Sequence, residues 1–194
     1  ETLAFTAGTG ITIAESAGAV TITNSSSGGA AALDGLTDVI SNITHFTDSI
    51  LISPDGAAPP HGTLSSANDN VGIGKDVFSA LTSGINNTVI GNYAGDAITE
   101  SNSNTLIGMS AGSAIVDSGY TTAVGYQAHE LHTGGNNIAV GYRALFNSGD
   151  GGSNIAVGNN SLIGALTGDN NIGVGKSALQ NNTSGEYNIG IGAE

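Results

Sequence analysis

The sequence predicts an all-β protein: a parallel β-roll or β-helix of about eight seventeen-residue rungs, preceded by short β-hairpin modules. Two observations predict it. A motif of the form [Asn/Thr]-x-x-[Val/Ile]-Gly recurs eight times, closing on Gly74, Gly91, Gly108, Gly125, Gly141, Gly158, Gly175 and Gly192, at spacings of 17, 17, 17, 16, 17, 17 and 17. Such a period is the mark of a solenoid whose turns stack on one another. The composition agrees: 31 of 194 residues are glycine, 10% are charged, 5% are aromatic, and there is no tryptophan or cysteine. A core of large side chains is therefore excluded, and so is the highly charged, apolar-poor chemistry of a disordered chain.

The first 32 residues stand apart from the repeat. "TLAFTAGTGITI" and "AVTITN" alternate apolar and polar residues across glycine turns, which predicts short hairpins. "NSSSGGAAA", Asn24 to Ala32, has the composition of a flexible linker. Residues 33–69 read as a small β connector. Leu33 to Gly56 supplies one or two strands ending at a Pro-Asp-Gly turn, and "AAPPHG" forms a stiff lead into the repeats.

Residues 70–194 are the predicted shaft. Asparagine stands four residues before the glycine at 70, 87, 104, 137, 154, 171 and 188, with Thr121 as the exception. Stacked at a fixed period, these amides can hydrogen-bond from rung to rung. The residue before the glycine is always β-branched, which favours extended backbone. Alternation puts it on one face with the residue two earlier, and that face is expected to be the core. The intervening column, Gly72, Val89, Leu106, Ala123, Ala139, Ala156, Gly173 and Gly190, is mostly small and is expected to meet a neighbouring chain. A further apolar station falls eleven residues after the asparagine in the first repeats (Leu81, Ile98, Ile115) and eight after it in the last (Leu145, Leu162, Leu179). The sixteen-residue repeat from Thr121 to Asn136 separates the two patterns and predicts a change of rung shape there. Two apolar stations per rung fit a flattened, two-sided coil. At about 4.8 Å per rung, eight rungs make a shaft on the order of 35–40 Å long. So few large side chains per rung predict that several copies share a core around an axis.

"NIAVGYRALFNSGDGGSN" and "NIGVGKSALQNNTSGEYN" resemble the N-T-A-I-G-Y-x-A-L-x-x-N-T-T-G-x-x-N repeats of tailed-phage tail fibres. They are also similar to shorter-period rungs in the heads of bacterial trimeric autotransporter adhesins. The "LAFTAGTGITI…AVTITN" and "GLTDV…DSILISPDG" segments are similar to modules of phage fibres, notably those of cyanophages. The resemblance implies a homotrimer of parallel β-rolls in an extracellular virion fibre. Its expected partners are other tail proteins and a host cell-surface glycan or protein. The alternatives it leaves open are a bacterial trimeric surface adhesin and a polysaccharide-degrading tailspike.

Several stretches mimic sites. "GKS", Gly175 to Ser177, ends like a phosphate-binding loop, but Asn170 occupies the opening glycine slot and no helix is predicted to follow. "GMSAG", Gly108 to Gly112, has the form of a nucleophile elbow without the α/β alternation such an elbow requires. Asp96, Glu100, Asp117, Glu130, Asp150, Asp169 and Glu186 scatter through different columns, so no catalytic pair is singled out and no enzyme is expected. "GDGGSN" resembles a calcium-binding turn, but the nonapeptide pattern is not sustained. The Asn-x-Ser/Thr triplets follow from composition. No cofactor or metal is assigned. The weak metal candidates are His129 and His132 of "HELH", which a trimer would present in threes around its axis.

Three Lys plus Arg against sixteen Asp plus Glu give a formal charge of −13, which repels a phosphate backbone and excludes nucleic acid as a natural partner. No apolar run reaches the roughly 20 residues of a bilayer-spanning helix, so membrane insertion is not expected. A chain that opens on Glu1 and closes within a repeat at Glu194 reads as an excerpt of a longer polypeptide.

Overall fold

The structure is a computed structural model, and it describes residues 11–16, 19–24, 39–43, 46–52, 64–147, 149–164 and 167–193. Of the predicted linker, Asn24 to Ala32, Asn24 ends a strand, and the rest of it, the Pro-Asp-Gly turn and the "AAPPHG" lead lie outside the described residues. The chain divides into two compact units, Glu1–Thr37 and Asp38–Glu194. In the first, β1 (Ile11–Ser16) pairs antiparallel with β2 (Ala19–Asn24), the hairpin expected from their alternation.

The second unit is a β-solenoid. β3 (Val39–Ile43) pairs antiparallel with β4 (Phe46–Ile52), and β4 then opens a run of nine parallel strands. The others are β5 (Val71–Ile73), β6 (Thr88–Ile90), β7 (Thr105–Ile107), β8 (Thr122–Val124), β9 (Ile138–Val140), β10 (Ile155–Val157), β11 (Ile172–Val174) and β12 (Ile189–Ile191). Each of these eight strands is three residues long and lies in register with its neighbours, so each column of the sequence repeat becomes a column in space. The rest of each coil is turns.

The coil begins before the sequence repeat does. Leu51 of β4 faces Gly72 in the parallel register, and Leu51 is buried in the common core. Ser49 takes the place of the missing first asparagine: its Oγ accepts the Asn70 N–H at 2.7 Å. Leu64, seventeen residues before Leu81, already packs on the core. The hairpin from the connector is thus the first wall of the shaft, and the sheet runs through the boundary drawn at residue 70.

The asparagine ladder forms. Asn70 Oδ1 accepts the Asn87 N–H at 2.9 Å, Asn87 Oδ1 accepts that of Asn104 at 3.0 Å, and Asn154 Oδ1 accepts that of Asn171 at 2.8 Å. The side-chain amides donate in turn, Asn87 Nδ2 to Asn70 Oδ1 at 3.0 Å and Asn171 Nδ2 to Asn154 Oδ1 at 3.1 Å. Spare amide hydrogens reach turn carbonyls, as from Asn154 Nδ2 to Gly168 O at 3.0 Å. Buried amides are retained because these groups satisfy one another.

The repeat glycine has a steric cause. Its φ lies between 126° and 138° in every rung, a region closed to side chains. A Cβ on Gly141 would also come within 2.7 Å of the Gly158 backbone in the next rung. Further stations adopt left-handed φ, held by ordinary residues such as Asn136 (59°), Arg143 (52°) and Leu145 (51°), with glycine at the third of them in two rungs, Gly95 and Gly112.

The facing of the strands is the reverse of the expectation. The small middle column points inward: Val89, Leu106, Ala123, Ala139 and Ala156 are fully buried. The β-branched columns point outward and stay partly exposed, Ile73 at 39%, Ile107 at 37% and Ile138 at 39%. The reason is that the interior is filled from the opposite wall. Phe78, Leu81, Ile98, Ile115, Leu145 and Leu162 arrive there from the turns, and only short side chains on the strands leave them room.

Candidate functional site

The outward sheet face is built by the strand register. Its first column holds Val71, Thr88, Thr105 and Thr122, then Ile138, Ile155, Ile172 and Ile189; its second holds isoleucine or valine in every rung. β4 extends it with Ile50 and Ile52. Three residues by nine strands cover roughly 10 by 40 Å at ordinary sheet spacings. The side chains on this face are isoleucine and valine with three threonines, a mostly apolar stripe that runs from rung to rung.

Beside this wall runs an exposed column one residue after the glycine. Tyr126 and Tyr142 stack there with ring centroids 5.5 Å apart and planes within 8°. Lys75 lies over the Tyr93 ring at 5.5 Å, and the Arg143 guanidinium lies 3.8 Å over Phe146. Two carboxylates in this region are perturbed. Burial raises the Asp96 pKa, with the negative charge of Asp76 adding to it. Burial also raises that of Glu130, against hydrogen bonds from Ser110 and Gln127 and the charge of Arg143. Asp96 and Glu130 act on each other, whereas Asp169 is tied into the turns, its Oδ1 accepting the Gly152 N–H at 2.7 Å.

The site-like motifs fall into the same frame. In "GKS" the amides that would curl around a phosphate are spent on the coil: Gly175 N–H donates to Val157 O at 2.8 Å, Ser177 N–H to Asn159 O at 2.9 Å, and Ala178 N–H to Gly175 O at 3.3 Å. In "GMSAG" the Ser110 N–H donates to Asn92 O at 2.9 Å and the Ala111 N–H to Gly108 O at 3.2 Å. Neither motif opens a helix.

His129 and His132 are fully buried inside the coil, and do not face outward as a threefold site would require. They occupy the two interior stations that hold Gly112 and Ile115 one rung earlier, seventeen residues before each. Their ring centroids are 4.8 Å apart. His132 Nδ1 accepts the Gly134 N–H at 3.1 Å. His129 Nε2 lies 3.2 Å from Asn137 Nδ2. Asn137 Oδ1 accepts the Asn154 N–H, so its nitrogen is a donor; it donates to Gly134 O at 2.9 Å and Gly151 O at 3.1 Å and shares its hydrogens with His129 Nε2. Burial, then the neighbouring His132, hold the His129 pKa down to about 3. Among the described residues no group of three or more His, Asp or Glu is arranged to hold a metal.

This rung is also where the ladder breaks and the repeat shortens. Gly134, Gly135 and Asn136 span what Asp117, Ser118, Gly119 and Tyr120 span one rung earlier. A Cβ at Gly134 would strike the Gly151 carbonyl oxygen, so the short connection needs glycine. Thr121 Oγ1 is buried without a hydrogen-bond partner, and the Asn137 amide, with no asparagine above it, donates to Gly134 O and Gly151 O beside His129. The predicted change of rung shape is therefore present, and the histidines fill it.

These features define a β-solenoid repeat protein with one apolar sheet face. No protein family, no curated protein and no solved structure matches this chain.

Proposed function

We propose that the chain is a structural and adhesive fibre protein of a phage virion, a trimeric shaft that supports host attachment outside the cell. One observation carries this reading: a continuous stripe of isoleucine, valine and threonine stands on the outside of a coil whose interior is already full. Two further copies packing the same stripe around a threefold axis would remove it from water, and burial of apolar surface at about 25 cal/mol per Å² drives such association. The shaft is stiff because every rung is hydrogen-bonded to the next, and three parallel copies would multiply a weak contact with a host glycan or protein into useful avidity. The resemblance of the repeats to tail-fibre rungs supports the viral assignment over other oligomeric solenoids.

The test has two parts. Native mass measurement of the full chain at micromolar concentration is expected to return three copies, and a monomer overturns the trimer. Purified trimer is then expected to bind host bacteria and block adsorption of the virion without releasing reducing sugars. Sugar release would convert the reading to a tailspike enzyme.

A further inference from the structure

We infer that the rung of β8, Thr121 to Asn137, is an acid-labile joint in the shaft, opened by protonation of the buried His129 and His132 pair. The argument rests on what the two rings do at neutral pH. His132 Nδ1 receives the Gly134 N–H at 3.1 Å, and His129 Nε2 faces Asn137 Nδ2, a nitrogen that can only donate, at 3.2 Å. A protonated imidazole has no acceptor nitrogen, so each proton would turn an attraction into two opposed donors. It would also place a positive charge in a dry interior with a second ring 4.8 Å away.

Backbone hydrogen bonds at His129 and Gly134 favour the charged His129 ring, but burial and the neighbouring ring outweigh them. The interior stations above are Gly112 and Ile115, and the one below is Leu145. The titratable group acting on His129 is His132 itself. Glu130, between them in sequence, interacts instead with Ser110, Gln127 and Arg143, and Thr121 and Asn137 are neutral.

The surroundings make the response local. The ladder step from Asn104 Oδ1 to the Thr121 N–H, 3.0 Å, is the last before Thr121, whose own Oγ1 has no partner to pass on. The aliphatic stations are divided at the same place, Leu81, Ile98 and Ile115 on one side and Leu145 and Leu162 on the other. Each side keeps its own contacts, as the nearest-neighbour energetics of solenoids allow. The inference concerns the coil alone and holds whatever the shaft carries.

With His129 held to about 3 in the closed rung against 6.5 when open, opening becomes about thirtyfold more favourable at pH 5 than at neutral pH. The experiment is hydrogen–deuterium exchange of the full chain at pH 7.5 and pH 5, corrected for intrinsic exchange and read by mass spectrometry. Protection over 121–137 is expected to fall about thirtyfold while 88–107 and 155–174 change little. A fall shared equally by all rungs, or less than about threefold in the joint, overturns the proposal. His129→Leu with His132→Leu should abolish the difference, and its persistence in that variant also overturns it. Should the variant not fold, the wild-type imidazole resonances decide: His129 must titrate well below 6.5, and its titrating freely near 6.5 refutes the buried pair.

Discussion

Leu106 occupies the space that Gly112 leaves open: a Cβ on Gly112 would lie 2.8 Å from Leu106 Cδ2 and 2.9 Å from Cδ1. The same exchange of volume runs through the coil in both senses. In the rung of β5 the strand residue is Gly72 and the turn residue Phe78, whose ring would meet a Gly72 Cβ at 2.8 Å. In the later rungs the strand residues are small, and a Cβ on Gly173 would lie 3.1 Å from Leu162 Cγ and one on Gly190 2.6 Å from Leu179 Cγ. Each rung fills a similar interior with one large and one small side chain.

This exchange predicts strong coupling between the two stations. Leu106→Ala should cost about 2–5 kcal/mol by leaving a cavity, and Gly112→Leu should overpack an intact rung. The double variant reproduces the Ala139–Leu145 arrangement, in which leucine already sits at φ 51°. It should recover more than about 1 kcal/mol relative to the sum of the single changes. Denaturant unfolding of the four proteins measures this, and simple additivity would refute the exchange.

Asn154→Ala should be among the most damaging polar substitutions. It strands the Asn171 N–H and the Gly168 carbonyl, both buried beside it, for a loss of about 2–4 kcal/mol. Thr121→Val should behave oppositely. The Thr121 backbone keeps its bond to Asn104, while the hydroxyl lost had no partner, so stability should hold or rise by up to about 1 kcal/mol. Thermal melts of the two variants test the ladder as a chain of satisfied amides rather than a decoration.

The period, the strands and the amide ladder were legible in the sequence because each depends on one residue type recurring at one spacing. The facing was not. A three-residue strand alternates only once, so its pattern fits either orientation, and β-branched residues usually mark a core. What decides is the bulk arriving from the turns, Phe78, Leu81, Ile115 and Leu145, and their depth appears only once the coil closes. The first rung escaped notice because Ser49 stands in the asparagine column. "HELH" drew attention as a ligand pattern, whereas its seventeen-residue offset from Gly112 and Ile115 already pointed to the core.

The titrations oppose one another, which gives a distinctive pH response. His129 has a folded pKa of about 3 against 6.5 unfolded, so stability is intact above pH 6.5 and declines toward pH 3 as the unfolded chain takes the proton first. Asp96 and Glu130 are raised, so their contribution is present at low pH and lost as pH rises through their folded values. Asp96→Asn is therefore expected to stabilise the protein at pH 7, by less than about 1 kcal/mol after solvent screening, with the gain fading in acid. Urea midpoints at pH 7 and pH 4 check both the sign and the fading.

Adjacent residues of β9 separate the two walls most sharply. Ala139 is fully buried inside the coil, whereas Val140 stands in the outward stripe. Val140→Glu leaves the interior untouched, but in a trimer it brings three carboxylates into an apolar seam, where desolvation and mutual repulsion oppose association. The expected product is a folded monomer with native strand content. Ala139→Glu places the charge in the interior of each chain and should abolish folding regardless of assembly. Circular dichroism with native mass measurement distinguishes these outcomes. A trimer that tolerates Val140→Glu would mean that the copies meet through some other surface.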